Sequence, residues 1–327
     1  MVDIDRLIAV TAGPHGWWRR PRAAAFLFLF AGCAGLTSAC LAEDEDAEQR
    51  TYVGTEVCSA CHAVTAEHWK NTVHARAFIG APRNENEKKT CEACHGPGSA
   101  HLRDPGQADG ITRFSFGSVT GIAEQNDACL DCHRGGARLH WSGSVHERNE
   151  VACSDCHNPM ARLSTNGLMA KTSLNETCFQ CHKTIRAEFQ RRSHMPLPEG
   201  KLTCIDCHNP HGSVTEPLLK TDTVNETCYQ CHAEKRGPFL FEHAPVQDSC
   251  LNCHSPHGSN HDKLLVTARP VLCQQCHSSV GHMNDLLTRA NLANGSWPDP
   301  RAIGRSCQNC HAQIHGSNHP SGARFHR

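Results

Sequence analysis

The pentapeptide Cys-x-x-Cys-His occurs ten times in this 327-residue chain, beginning at Cys58, Cys91, Cys129, Cys153, Cys178, Cys204, Cys228, Cys250, Cys273 and Cys307. It is the attachment signal for haem c, in which both cysteines form thioethers with the porphyrin vinyl groups and the adjacent histidine binds the iron. The second cysteines are Cys61, Cys94, Cys132, Cys156, Cys181, Cys207, Cys231, Cys253, Cys276 and Cys310. The proximal histidines are His62, His95, His133, His157, His182, His208, His232, His254, His277 and His311. No other feature constrains the fold as strongly, because ten large flat macrocycles must be wrapped by one short chain.

Twenty of the 22 cysteines belong to these motifs, leaving Cys33 and Cys40 near the N-terminus. A disulfide framework is therefore excluded. Zinc ribbons also use Cys-x-x-Cys pairs, but they do not require a histidine after every second cysteine. A thioredoxin-like redox reading fails for the same reason.

Only 39% of residues are apolar and 6% aromatic, with 25 Gly and 17 Pro, a poor inventory for a protein-only core. The porphyrins must supply that core. The expected fold is a multihaem cytochrome c, mostly irregular coil with short α-helices wrapped round a haem chain and little or no β structure. The chain without haem is expected to be largely unfolded. Formal charge is −1, and each ferric haem with two axial histidines and two propionates adds about one negative charge more. The Lys and Arg side chains are then spent on propionates, and no basic surplus remains for nucleic acid.

Arg19, Arg20 and Arg22 precede an apolar run from Ala23 to Leu36, followed by acidic residues from Glu43 to Glu48. That is the layout of an export signal, and its run is shorter than the roughly twenty residues a membrane-spanning helix needs. We divide the chain into a signal peptide at 1–39, an acidic linker at 40–50 and a decahaem domain at 51–327. Cys33 and Cys40 sit in lipidation-like boxes without the usual leucine, so a lipid anchor is the alternative to ordinary cleavage.

Successive motifs are 22 to 38 residues apart, and NETCFQCH at Asn175 recurs as NETCYQCH at Asn225. The repeating unit is a haem pair, and five pairs make the array. Beyond each odd-numbered motif stands an isolated histidine: His74, His146, His194, His243 and His282. Even-numbered motifs carry one in their tails: His101, His211, His257 and His315. These nine are the expected second axial ligands. His211 and His257 lie only three residues past their own proximal histidines, too close to reach the opposite face, so they must serve a neighbouring haem. The fourth motif departs from the pattern by reading CHNPM, with Met160 where His is expected. For that haem His140 is the favoured ligand, and Met160 is the alternative, which would raise its potential. Residues inside the motifs, among them Asp155, Asp206 and Asn252, read as exposed filler.

The chain resembles the periplasmic decahaem cytochromes of the MtrA, PioA and DmsE type from about Tyr52 to the C-terminus. The marks of the resemblance are YVGTEVCSACH, CEACHGPGSAH, HWSGSVHE and TIRAEFQRRSHMPLPEGKLTCIDCHNPHGS. It implies an elongated haem wire that enters an outer-membrane β-barrel porin and exchanges electrons with periplasmic and extracellular cytochromes, in metal respiration or iron oxidation. With every iron closed by two side chains, the chain would carry electrons and not act as an enzyme. The competing readings are a multihaem reductase with one open haem and a free periplasmic electron shuttle.

Overall fold

The structure is a computed structural model, and it describes residues 50–107, 109–115, 117–277 and 307–326. The chain divides into two units between Glu48 and Gln49, and the described residues all lie in the second, Gln49–Arg327. Cys33, Cys40, the export signal and His282 lie outside the described residues.

The second unit is built from short helices joined by turns. The longest helix among the described residues, Ile122–Leu130, has nine residues. Strand pairing is reduced there to isolated bridges. Odd-numbered motifs close a helix, as in Thr55–Cys61, Ile122–Leu130, Leu174–Cys178 and Val224–Tyr229. Two of these helices begin on a Ser/Thr-x-x-Glu sequence whose hydroxyl, Ser173 or Thr223, accepts the N–H of Glu176 or Glu226.

Several even-numbered motifs open a helix instead, as in Cys153–Cys156 and Cys204–Cys207. Asp155 and Asp206 are not filler: their carboxylates accept the N–H of Ala152 and Thr203 at 2.8 and 2.6 Å. Each thereby satisfies a backbone donor at the start of its helix. Asn252 is likewise engaged, donating to the Pro245 carbonyl at 3.0 Å.

The protein's own apolar core is thin. Phe179, Phe189 and Leu197 form a small buried cluster, and Trp69, Trp141, Leu219, Tyr229 and Leu265 are buried elsewhere. Polar side chains, including Gln125, Asn126 and Asn225, are buried alongside them. Buried polar side chains are mostly hydrogen-bonded: Gln125 donates to the Thr120 carbonyl, and the two asparagines organise attachment sites.

Candidate haem sites

The attachment cysteines make two alternating contacts along the chain. Within each pair the first thiol of the odd motif lies against the first thiol of the even one: Cys58 on Cys91, Cys129 on Cys153, Cys178 on Cys204, Cys228 on Cys250 and Cys273 on Cys307. Between pairs the even motif's second thiol approaches the next odd motif's: Cys94 with Cys132, Cys156 with Cys181, Cys207 with Cys231 and Cys253 with Cys276. Burial, then the neighbouring thiol, pushes Cys58, Cys228 and Cys273 above the ordinary thiol value. At Cys129 and Cys178 the hydrogen bond between the thiols is the leading cause. The ten sites thus follow one another in chain order.

An asparagine three residues before the odd motif, buried at Asn126 and Asn225 and partly buried at Asn175, ties each inner pair together. Asn126, Asn175 and Asn225 accept the N–H of Cys153, Cys204 and Cys250 at 2.7, 3.1 and 2.8 Å. Their amides donate to the carbonyls of Val151, Leu202 and Val246. This explains the recurring Asn-x-x-Cys, which the sequence reading registered only as a repeat. In the first pair Glu92 does comparable work, accepting from the N–H groups of Val53, Gly54 and Gly98.

Each even proximal imidazole is oriented by the tail that follows it. Nδ1–H donates to a backbone carbonyl at His95 to Thr112, His157 to Gly167, His208 to Pro217, His254 to Lys263 and His311 to Arg324, at 2.5–2.9 Å. That fixes the tautomer, leaves Nε2 for a metal and raises ligand basicity. In pairs two to four the tail folds back as a clamp, bridging His157 to Met169, His208 to Leu219 and His254 to Leu265. Its sharp return sits on Leu168, Leu218 and Leu264, all at positive φ. The recurring Leu-Met or Leu-Leu that begins ten or eleven residues past the histidine was the available signal.

Seven pairs of imidazoles stand opposite one another across a gap. His62 faces His101, His133 faces His74, His157 faces His211, His182 faces His146, His208 faces His257, His254 faces His315 and His277 faces His243, with ring centroids 5.9–6.2 Å apart. Two metal–imidazole bonds of about 2.0 Å, each extended by the roughly 1.1 Å from nitrogen to ring centre, require about 6 Å. The rings are nearly parallel at His157/His211 (9°) and His254/His315 (12°), but steeply crossed at His133/His74 (80°).

The pairing is an exchange between neighbours. The second pair sends His146 forward to His182 and receives His211 from the third at His157. The fourth sends His243 forward to His277 and receives His315 at His254. Capped turns aim these side chains: Thr72 accepts the N–H of Ala75 next to His74, and Ser144 that of Glu147 next to His146. Behind each of the last three tail histidines a glycine packs on the preceding pair, Gly212 against the His140 carbonyl, Gly258 against the Glu188 carbonyl and Gly316 against the Phe239 ring.

His140 is therefore not where the sequence reading put it. The structure sets His211 opposite His157, and His140 offers its backbone to Gly212. Met160 lies three residues after His157 in the same tail, and the position opposite His157 is taken by His211. Met160 is held by a hydrogen bond from its N–H to Asn158 Oδ1 at 3.0 Å. His194 is turned aside, with Nδ1 on the Arg191 carbonyl at 2.7 Å and Nε2 on Glu199 at 3.1 Å. Those two partners hold its pKa above the ordinary value. His326, a residue outside the expected ligand set, lies 4.7 Å from His311, too close to bracket an iron.

Burial pushes the imidazoles of His74, His211, His257 and His315 below their ordinary pKa, which keeps them in the neutral form that binds metal. Imidazole nitrogens of His74, His101 and His211 are buried without a protein partner. Trp141 Nε1 and Tyr229 Oη are buried donors in the same condition. Among the described residues no three His, Cys, Asp or Glu side chains converge as a zinc site would require. Opposed pairs beside tethering cysteines fit an iron porphyrin. The chain is also 41% identical over 275 residues to the multihaem cytochrome MtrA of Shewanella baltica, covering 84% of this chain and 81% of that one. It is a multihaem c-type cytochrome of the MtrA family. Within this MtrA-like chain, residues 194–237 and 243–282 each match the doubled CXXCH motif, and residues 91–166 match the NrfB-like cytochrome c-type proteins. The doubled-motif unit joins an even motif to the next odd one, half a period out of step with the cysteine pairs. An electron-transfer role and covalent haem c go with the family.

Proposed function

We propose that the chain binds ten haems c, one on each Cys-x-x-Cys-His motif, and works as a periplasmic electron carrier rather than an enzyme. The seven opposed imidazole pairs carry this reading, because each gap has room for one iron and, once closed, no room for a substrate. Bound haem supplies the one-electron couple. The chain's residues do the rest: cysteine contacts set the order of the sites, and exchanged histidines lock each pair to the next. By the same exchange His194 belongs opposite His232 once released from Glu199, and His282 is the remaining ligand for the last site.

We assign the chain to the periplasm on its export signal and place it in an outer-membrane β-barrel porin that links periplasmic and extracellular cytochromes. No described helix is long and apolar enough to cross a membrane, so a route across the outer membrane would need a partner's lumen. The family resemblance supports that partner. Extraction of native membranes in mild detergent, followed by identification of co-purifying chains, tests it. A barrel protein in equimolar amount is the expected result, and recovery of the free chain from the soluble periplasm would contradict it.

A further inference from the structure

We infer that Met160 is the sixth ligand of the second haem, the one attached at Cys91 and held by His95, and not of the fourth haem in whose motif it lies. The inference rests on the haem-bearing reading above. Its basis is register. His211 in the third pair's tail faces His157 of the second pair, His257 in the fourth faces His208 of the third, and His315 in the fifth faces His254 of the fourth. Each tail serves the even site of the preceding pair. Carried back one step, the second pair's tail serves His95, and its residue at the ligand position is Met160.

The turn that holds Met160 is the turn that holds His211. In both, the residue's N–H bonds to the asparagine side chain two positions earlier, Met160 to Asn158 at 3.0 Å and His211 to Asn209 at 3.3 Å. Both tails then fold back through the same bridge. His95 is prepared like its counterparts, with Nδ1 on the Thr112 carbonyl at 2.9 Å. Yet among the described residues no second imidazole faces it; Phe114 packs edge-on against its ring at 5.2 Å. A thioether sulfur is a haem ligand in its own right and gives a more positive potential than a second imidazole. The second haem would then be the most oxidising site in the array, one step from its N-terminal end.

Near-infrared magnetic circular dichroism of the oxidised holoprotein tests this on wild type, Met160→Leu and Met160→His, each checked for an unchanged haem-to-protein ratio. The expected wild type shows one thioether-ligated haem in ten. Met160→Leu should lose that signal, and Met160→His should replace it with one more bis-imidazole haem and move the most positive tenth of the redox titration downward. A wild type whose ten haems are all bis-imidazole overturns the assignment to Met160 while leaving the closed carrier intact. A thioether signal that survives in Met160→Leu overturns it as well. A high-spin haem in the wild type that takes up cyanide overturns both the assignment and the carrier reading.

Discussion

The junction between the first and second haem pairs is built differently from the three that follow. At the later junctions a glycine is pressed into the preceding arm. Hydrogen bonds seal the contact: Asn209 to the Ala137 carbonyl at 2.9 Å, Ser193 to Ser259 at 2.9 Å, and Phe241 to Ser317 at 2.9 Å. At the first junction the tail reads Met160-Ala161 in place of His-Gly. Among the described residues no hydrogen bond joins the first arm, 63–80, to the second tail, 158–170. The comparison separates two jobs that coincide in the later tails. Presenting a ligand needs only the turn, which Met160 shares, whereas docking the pair needs a residue without a Cβ.

The largest effect is expected from making a later junction resemble the first. In Gly212→Ala the new methyl would overlap the His140 carbonyl oxygen, at a φ of 108° that disfavours any Cβ. Backbone cannot turn aside, so the cost should be about 2–4 kcal/mol. The fourth haem should lose His211 and become partly high-spin, read by electron paramagnetic resonance. A fully low-spin Gly212→Ala protein of unchanged stability would show that the close contact is dispensable. Next comes Asn225→Ala, which strips Cys250 N–H and two carbonyls of their partner. Thermal unfolding should show a loss of about 1–3 kcal/mol with haem content unchanged.

Gly316→Ala should cost somewhat less, about 1–3 kcal/mol: its φ of 134° still disfavours a Cβ, but the new methyl would meet the Phe239 side chain rather than backbone. A cost equal to that of Gly212→Ala would remove the distinction. The smallest change is expected from Ala161→Gly. If the first junction does not use this contact, only chain entropy is lost, about 0.5–1 kcal/mol. Stabilisation instead would mean that the first junction is a hindered version of the others.

Much of this was legible in the sequence, and what was not had a physical reason. The motifs name their cofactor because thioether attachment needs two cysteines and a histidine at fixed spacing, and the low apolar content already pointed to a thin core. The partner of each histidine was hidden, since the exchange runs between units about fifty residues apart and leaves no local signal. That is why His140, with Met160 as the alternative, is what the sequence offers for the fourth motif, while His211 can be given only to an unspecified neighbour. Asp155 and Asp206 looked idle because their work is on backbone N–H groups that only the folded turn brings near. The clamp left a trace in the Leu-Leu repeats, but its meaning depends on positive φ at Leu218 and Leu264, which sequence does not display.

The most direct test of the central claim is quantitative electron paramagnetic resonance of the fully oxidised protein, with and without cyanide. The account predicts ten low-spin ferric haems per chain and no response to the ligand, as every iron is closed on both faces by side chains. A stoichiometric high-spin iron that binds cyanide would contradict it.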